Sequence, residues 1–163
     1  MAELTVLVVE DEPEVRAAMI RDLRAFSERF LIESAADSDE AEELVDEARA
    51  SRSIIALVLC DHLLPGRRGT EFLVTLNHRD ETAAAKKVLI TGQASHEDTI
   101  RAINEAGLDY YIAKPWTPNH LQAVVRRLLT DFVIERGEDL LRYVPVLEGD
   151  RLIEAAGRQT WTH

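Results

Sequence analysis

The apolar run Ile54–Cys60 stops at Asp61. A carboxylate at the end of a strand that reads as buried is costly unless something uses it. Other runs stop in the same way. Leu4–Val9 gives way to Glu10, Asp11 and Glu12, Val88–Thr91 ends on a hydroxyl, and Tyr110–Ala113 leads into Lys114. Brought together, the acids would repel one another and could not all ionise cheaply without a counter-charge. Mg²⁺ supplies one, because it takes oxygen ligands while keeping waters. Lys114 offers a point charge to a phosphate oxygen, and Thr91 offers a hydroxyl donor. A carboxylate nucleophile, a hard cation, a lysine and a hydroxyl make a phosphoryl-transfer site, with Asp61 as the group that becomes an aspartyl phosphate.

These residues can meet only if the fold gathers the strand ends, and the hydrophobic pattern predicts that it does. Leu4–Val9 and Ser53–Cys60 are continuous apolar runs, as expected of strands covered on both faces. Shorter strands are predicted over Phe30–Ser34, Val88–Thr91 and Tyr110–Ala113. Helical spacing of Val15, Met19, Leu23 and Phe26 follows the first strand, with Pro13 at the helix start. A second helix spans Ser38–Ala50, a third Gly69–Asn77, and a fourth Glu97–Ala106 with Ile100 and Ile103 facing inward. Gly107 is placed to end the fourth helix. Thr117-Pro118 reads as the cap and first residue of a long fifth helix. Five strands alternating with five helices predict an α/β fold built on a doubly wound parallel sheet. In such sheets the functional crevice lies at the carboxyl ends of the strands.

Composition narrows the options. The chain has 163 residues, 46% apolar and 30% charged, which suits one globular domain with an appendage. The net charge of −11 disfavours non-specific binding to nucleic acid or an anionic membrane, so neither is an expected partner. No apolar run reaches the ~18 residues of a membrane span. The start MAELTVLVVEDE has an early acid and no basic stretch, the pattern of a mature cytoplasmic protein. The single cysteine, Cys60, excludes an internal disulfide and reads as a small core residue. The five histidines, at 62, 78, 96, 120 and 163, have no metal-ligand spacing and read as solvated, with His62 merely near the site. Arg67 and Arg68 read as solvated loop charges, and Trp116 as an anchor for the long helix.

Four segments together, LVVEDE, LCDHLLPGRRG, LITGQA and YYIAKPW, resemble the receiver domain of bacterial two-component response regulators in order and spacing. The resemblance covers roughly residues 4–130 and implies the flavodoxin-like receiver fold. It implies that Asp61 takes a phosphoryl group from a sensor histidine kinase or a phosphotransfer protein. It implies Mg²⁺ held by Glu10, Asp11, Asp61 and the backbone carbonyl of Leu63, with Thr91 and Lys114 on the phosphoryl oxygens. Tyr111 matches the aromatic that switches rotamer with Thr91, and the Lys114-Pro115 bond is expected to be cis. The chain departs from the usual pattern at Leu63, where a polar residue is frequent, and at Leu64, where methionine is common. Gly92 leaves room beside Thr91, while Gln93 either reaches the phosphoryl group or faces solvent.

The resemblance implies a phospho-accepting regulatory domain, at most slowly self-dephosphorylating, and not an enzyme. Two alternatives stay open. One is an aspartate-nucleophile Mg²⁺ phosphatase of the haloacid dehalogenase type, which needs an acid where Leu63 stands. The other is a flavodoxin-like nucleotide-binding module, whose phosphate loop would have to replace the acids after the first strand. The expected division is a receiver over residues 1–130 and a C-terminal helical extension over 131–163. That extension is too short for a DNA-binding domain, so the expectation is a stand-alone receiver or a segment of a longer chain. Apolar residues continue through Phe132, Val133 and Ile134 to Leu140, Leu141 and Tyr143. An exposed apolar helix end marks an interface. A homodimer through this helix is the expected cover, against the competing expectation that residues 138–157 fold back over it.

Overall fold

The computed structural model describes residues 2–92 and 95–161. Gln93 and His163 lie outside the described residues. Five strands form one parallel sheet in the order β2-β1-β3-β4-β5. They are β1 (Leu4–Val9), β2 (Leu31–Ala35), β3 (Ile54–Cys60), β4 (Lys86–Thr91) and β5 (Tyr110–Ala113). β2 starts one residue later than the sequence pattern predicts, and β4 two residues earlier. The six helices are α1 (Pro13–Leu23), α2 (Ser38–Ala50), α3 (Gly69–Asn77), α4 (His96–Glu105), α5 (Pro118–Arg136) and α6 (Gly149–Trp161).

The central strands are apolar along their length because both faces are covered. Side chains alternate across a strand, so Val6 and Val8 join one buried cluster while Leu7 and Val9 join the other. The first cluster holds α1 and α5, with Met19, Leu23, Leu121 and Val125. The second holds α2 and α3, with Val45, Phe72, Leu73 and Leu76. Side-chain caps start three helices: Asp37 accepts from Glu40 N, Ser95 from Asp98 N, and Thr117 from His120 N. One buried charge is tied inside the frame. Nζ of Lys87, 1% exposed, donates to the carbonyls of Ala85 at 2.8 Å and Ala83 at 3.0 Å. Burial pulls its pKa below the usual lysine value.

α4 corrects one expectation. Ile100 is 44% and Ile103 54% exposed, so neither faces the core. The buried positions are Ala102 and, at the helix end, Ala106. Two alanines four residues apart make a smooth stripe that seats the helix close to its neighbours, and the isoleucines are left on the outer side.

Of the two covers expected for the end of α5, the chain itself supplies one. Gly137, with φ 75°, ends α5 in the left-handed region that glycine adopts without penalty. The chain then folds back through a short 3₁₀ turn, Leu140–Tyr143, into α6. Leu140, Tyr143, Val146, Leu147, Leu152 and Ala155 join the same buried cluster as Phe132 and Val133. The rings of Phe30 and Tyr143 stand 5.3 Å apart. Polar contacts fix the seam: Arg29 donates to the Arg142 carbonyl at 2.9 Å, and Arg151 pairs with Asp131 at 2.6 Å. The apolar end of α5 that motivated a covering second copy is therefore covered by its own chain.

Leu152 is fully buried in this seam. Leu152→Ala should lower unfolding stability by about 2–5 kcal/mol, the cost of a large-to-small change in a packed core. Urea unfolding measures it. A change near zero would mean that the tail is not part of the core.

Candidate functional site

The strand order decides which residues meet. β1 and β3 are neighbours, so Glu10, Asp11 and Asp61 emerge side by side. Ligand oxygens of these three acids lie within 4.8 Å of one another. β4 adds Thr91 one strand further on, and β5 adds Lys114 beyond that. Lys114 is two strand spacings from β3, about 10 Å, and its long stem spans the gap. Its Nζ donates to Glu10 Oε1 at 2.6 Å and to Asp61 Oδ2 at 3.1 Å. The Lys114-Pro115 peptide bond is cis.

Glu10 is fully buried, and burial raises its carboxyl pKa above the usual carboxylate range. The bond from Lys114 and that from Glu12 N oppose this rise, and the Asp61 charge adds to it. For Lys114, burial works against the charge, but the bonds to Glu10 and Asp61 outweigh it and hold its pKa above the ordinary lysine value. Asp61 continues the β1–β3 ladder, its N–H donating to the Val9 carbonyl at 3.0 Å. Its Oδ2 is taken by Lys114, while Oδ1 is buried with no hydrogen-bond partner. Three clustered carboxylates, one with an unpartnered buried oxygen, fit a hard divalent cation that prefers oxygen ligands.

An open cleft of about 310 Å³ is lined by Asp11, Glu12, Asp61, Leu63, Thr91, Gly92 and Lys114. Every predicted site residue except Glu10 and Tyr111 is therefore on the cleft wall, and Glu10 lies beneath it on Lys114. Leu63 is 45% exposed and turns an aliphatic side chain to the cleft mouth. Tyr111 stands behind Thr91, its hydroxyl donating to the Thr91 carbonyl at 2.9 Å. Trp116 anchors as predicted, with Nε1 donating to Asp22 Oδ2 at 2.8 Å.

Two residues, His62 and Arg67, depart from the sequence reading. His62 is not solvated but 1% exposed, and its Nε2 lies 3.1 Å from Asp98 Oδ2. The same carboxylate oxygen accepts from Arg68 at 3.0 Å. The Ser95 hydroxyl, with His62 and Arg68 beside it, keeps the Asp98 carboxyl below its usual range. Arg67 pairs with Glu42 at 2.9 Å and donates to the Thr75 hydroxyl. Arg67 is thus a structural tie, whereas the Arg68 side chain, 59% exposed, is solvated as expected and also paired with Asp98. The remaining described histidines, His78, His96 and His120, are exposed as expected.

Gly69 was not singled out by the sequence reading. Its N–H donates to the His62 carbonyl at 2.8 Å, and a Cβ built on it would lie 1.9 Å from the Asp61 carbonyl oxygen. The signal was available: a glycine opening α3, eight residues after the acid, at a position where a helix does not otherwise call for one.

A family model described as the response regulator receiver domain matches residues 6–126. The chain belongs to this family. The hydrogenase transcriptional regulatory protein HoxA of Cupriavidus necator is 37% identical over 125 residues, covering 77% of this chain and 24% of HoxA. The phosphate regulon transcriptional regulatory protein PhoB of Escherichia coli is 33% identical over 127 residues, covering 76% of this chain and 52% of PhoB. The receiver thus spans about a quarter to a half of the curated relatives it matches. Among solved structures, a CheY-like response regulator receiver domain protein from Methanospirillum hungatei superposes with a TM-score of 0.68 at 28% identity. That match covers 82% of this chain and 99% of the other. Family membership replaces the phosphatase and nucleotide-module readings. No helix among the described residues is long and apolar enough to cross a membrane.

Gly69→Ala should force the Asp61 carbonyl and the turn after β3 apart. Overpacking of this kind costs about 1–3 kcal/mol. Urea unfolding of the variant measures it, and an unchanged midpoint would show that the turn yields freely.

Proposed function

We propose that this receiver accepts a phosphoryl group on Asp61 and uses it as a signalling switch. The observation that carries the reading is the Asp61 carboxylate itself. One oxygen is buried without a partner, and the other is bonded to Lys114 beside two further acids. Such a group keeps an unshared oxygen beside a fixed positive charge and a cation-ready cluster. Glu10, Asp11, Asp61 and the Leu63 backbone carbonyl would hold Mg²⁺. The bound cation would neutralise charge on the transferring group.

The remaining steps fall to the chain's own residues. An Asp61 carboxylate oxygen attacks phosphorus and forms the new P–O bond. The P–N bond to the donor histidine of a sensor kinase or phosphotransfer protein breaks, and its electron pair stays with the imidazole nitrogen. Lys114 and Thr91 take the phosphoryl oxygens. A Thr91 drawn toward the phosphate loosens the Tyr111 bond to its carbonyl, which makes Tyr111 the residue that passes the change outward. The role is regulatory and not that of an enzyme with turnover. It places the protein in the cytoplasm, with a histidine kinase or phosphotransfer protein as donor. We read residues 1–130 as the receiver unit and 131–163 as a C-terminal helical extension, of which the described residues 131–161 fold onto it.

Acetyl phosphate with Mg²⁺ should add one base-labile phosphoryl group by intact mass, and Asp61→Asn should remove it. Equal labelling of that variant would overturn the assignment. Mg²⁺ should also raise the thermal midpoint of the unphosphorylated protein by mass action. Asp11→Ala should lose most of this rise; an identical response in both proteins would exclude Asp11 as a ligand.

A further inference from the structure

His62 follows Asp61 in the chain, yet its ring is buried against α4 and is not part of the cleft wall. α4 has little apolar packing of its own. Ala102 is its one buried residue, and its two isoleucines face out. Polar bonds secure its first turn instead. Asp98 Oδ2 accepts from His62 Nε2 at 3.1 Å and from Arg68 at 3.0 Å. Both donors belong to the segment between β3 and α3, which begins with Asp61.

That segment is stiff at its start. The Asp61 N–H is bonded to β1, and its carbonyl is backed by Gly69. The His62 imidazole is buried, and a histidine has only two side-chain torsions. A carboxylate partner accepts only, so Nε2 carries the proton, and Nδ1 remains buried without a hydrogen-bond partner. A shift of the 61–62 peptide therefore reaches α4 through one rigid ring. Coupling of this kind is reciprocal, so whatever reseats α4 also acts on Asp61.

We infer that His62 is a positioning residue that couples the occupancy of Asp61 to the seating of α4 through Asp98, with Arg68 as the second tie. The inference rests on the reading of Asp61 as the phospho-acceptor. Hydrogen exchange of the full chain, with and without beryllofluoride and Mg²⁺, tests it. In the parent, beryllofluoride should change the protection of amides in His96–Glu105. In His62→Ala and Asp98→Ala, those amides should exchange about tenfold faster without beryllofluoride, as for a lost hydrogen bond to a charged group. The beryllofluoride-dependent difference in α4 should vanish, while β1 and β3 amides keep their protection. His62→Gln, which retains a donor, should restore part of the difference.

Asp98→Ala carries the test if His62→Ala does not fold. The Asp98 side chain is 21% exposed, and the Ser95 cap binds its backbone N–H. A full beryllofluoride response in α4 of Asp98→Ala would overturn the inference alone. A parent chain that takes no beryllofluoride would overturn both the inference and the reading beneath it.

Discussion

The ammonium of Lys114 stands between Glu10 and Asp61, two carboxylates that would otherwise be buried side by side. At an effective dielectric of 20, two unit charges 4 Å apart interact by about 4 kcal/mol. One positive charge therefore offsets much of the repulsion between the two acids. Its placement constrains the rest of the molecule. β5 must lie two strands from β3, β4 must lie between them, and the sheet must be parallel so that all four ends open on one edge. The two apolar layers exist to hold that edge in register.

Packing and chemistry divide the chain cleanly in this arrangement. The side chains of β1 and β3 are spent on the two cores, so the chemistry begins one residue past each strand. Asp61 shows the boundary: its backbone still belongs to the β-ladder, while its side chain belongs to the cleft. The tail serves the first core in the same way as a helix crossing the sheet would. It places Tyr143 on Phe30 and the α6 side chain Leu152 in the buried cluster, on the side of the sheet that carries α1 and α5.

The central strands and the acid–lysine constellation were legible because both leave local marks. A strand buried on two faces must read as an unbroken apolar run, and an acid or lysine that stops such a run stands out. The misread features depend on partners distant in sequence. His62 looks like any loop histidine until Asp98, 36 residues on, is placed against it. In α4 the periodicity was right but the wrong stripe was turned inward, because alanine signals burial more weakly than isoleucine. The tail's apolar content showed that it needed a cover or was one, and only the left-handed turn at Gly137 decides which.

The lysine inventory gives the Lys114 contact a further meaning. The sequence contains three lysines, at 86, 87 and 114. Lys86 is paired with Glu135 at 2.8 Å, and Lys87 is buried on backbone carbonyls. Neither is an ordinary surface amine. Acylation of Lys114 would remove the counter-charge and set Glu10 against Asp61 with nothing between them. Amine footprinting of the side chains therefore reads three positions, of which Lys114 is the one in the cleft.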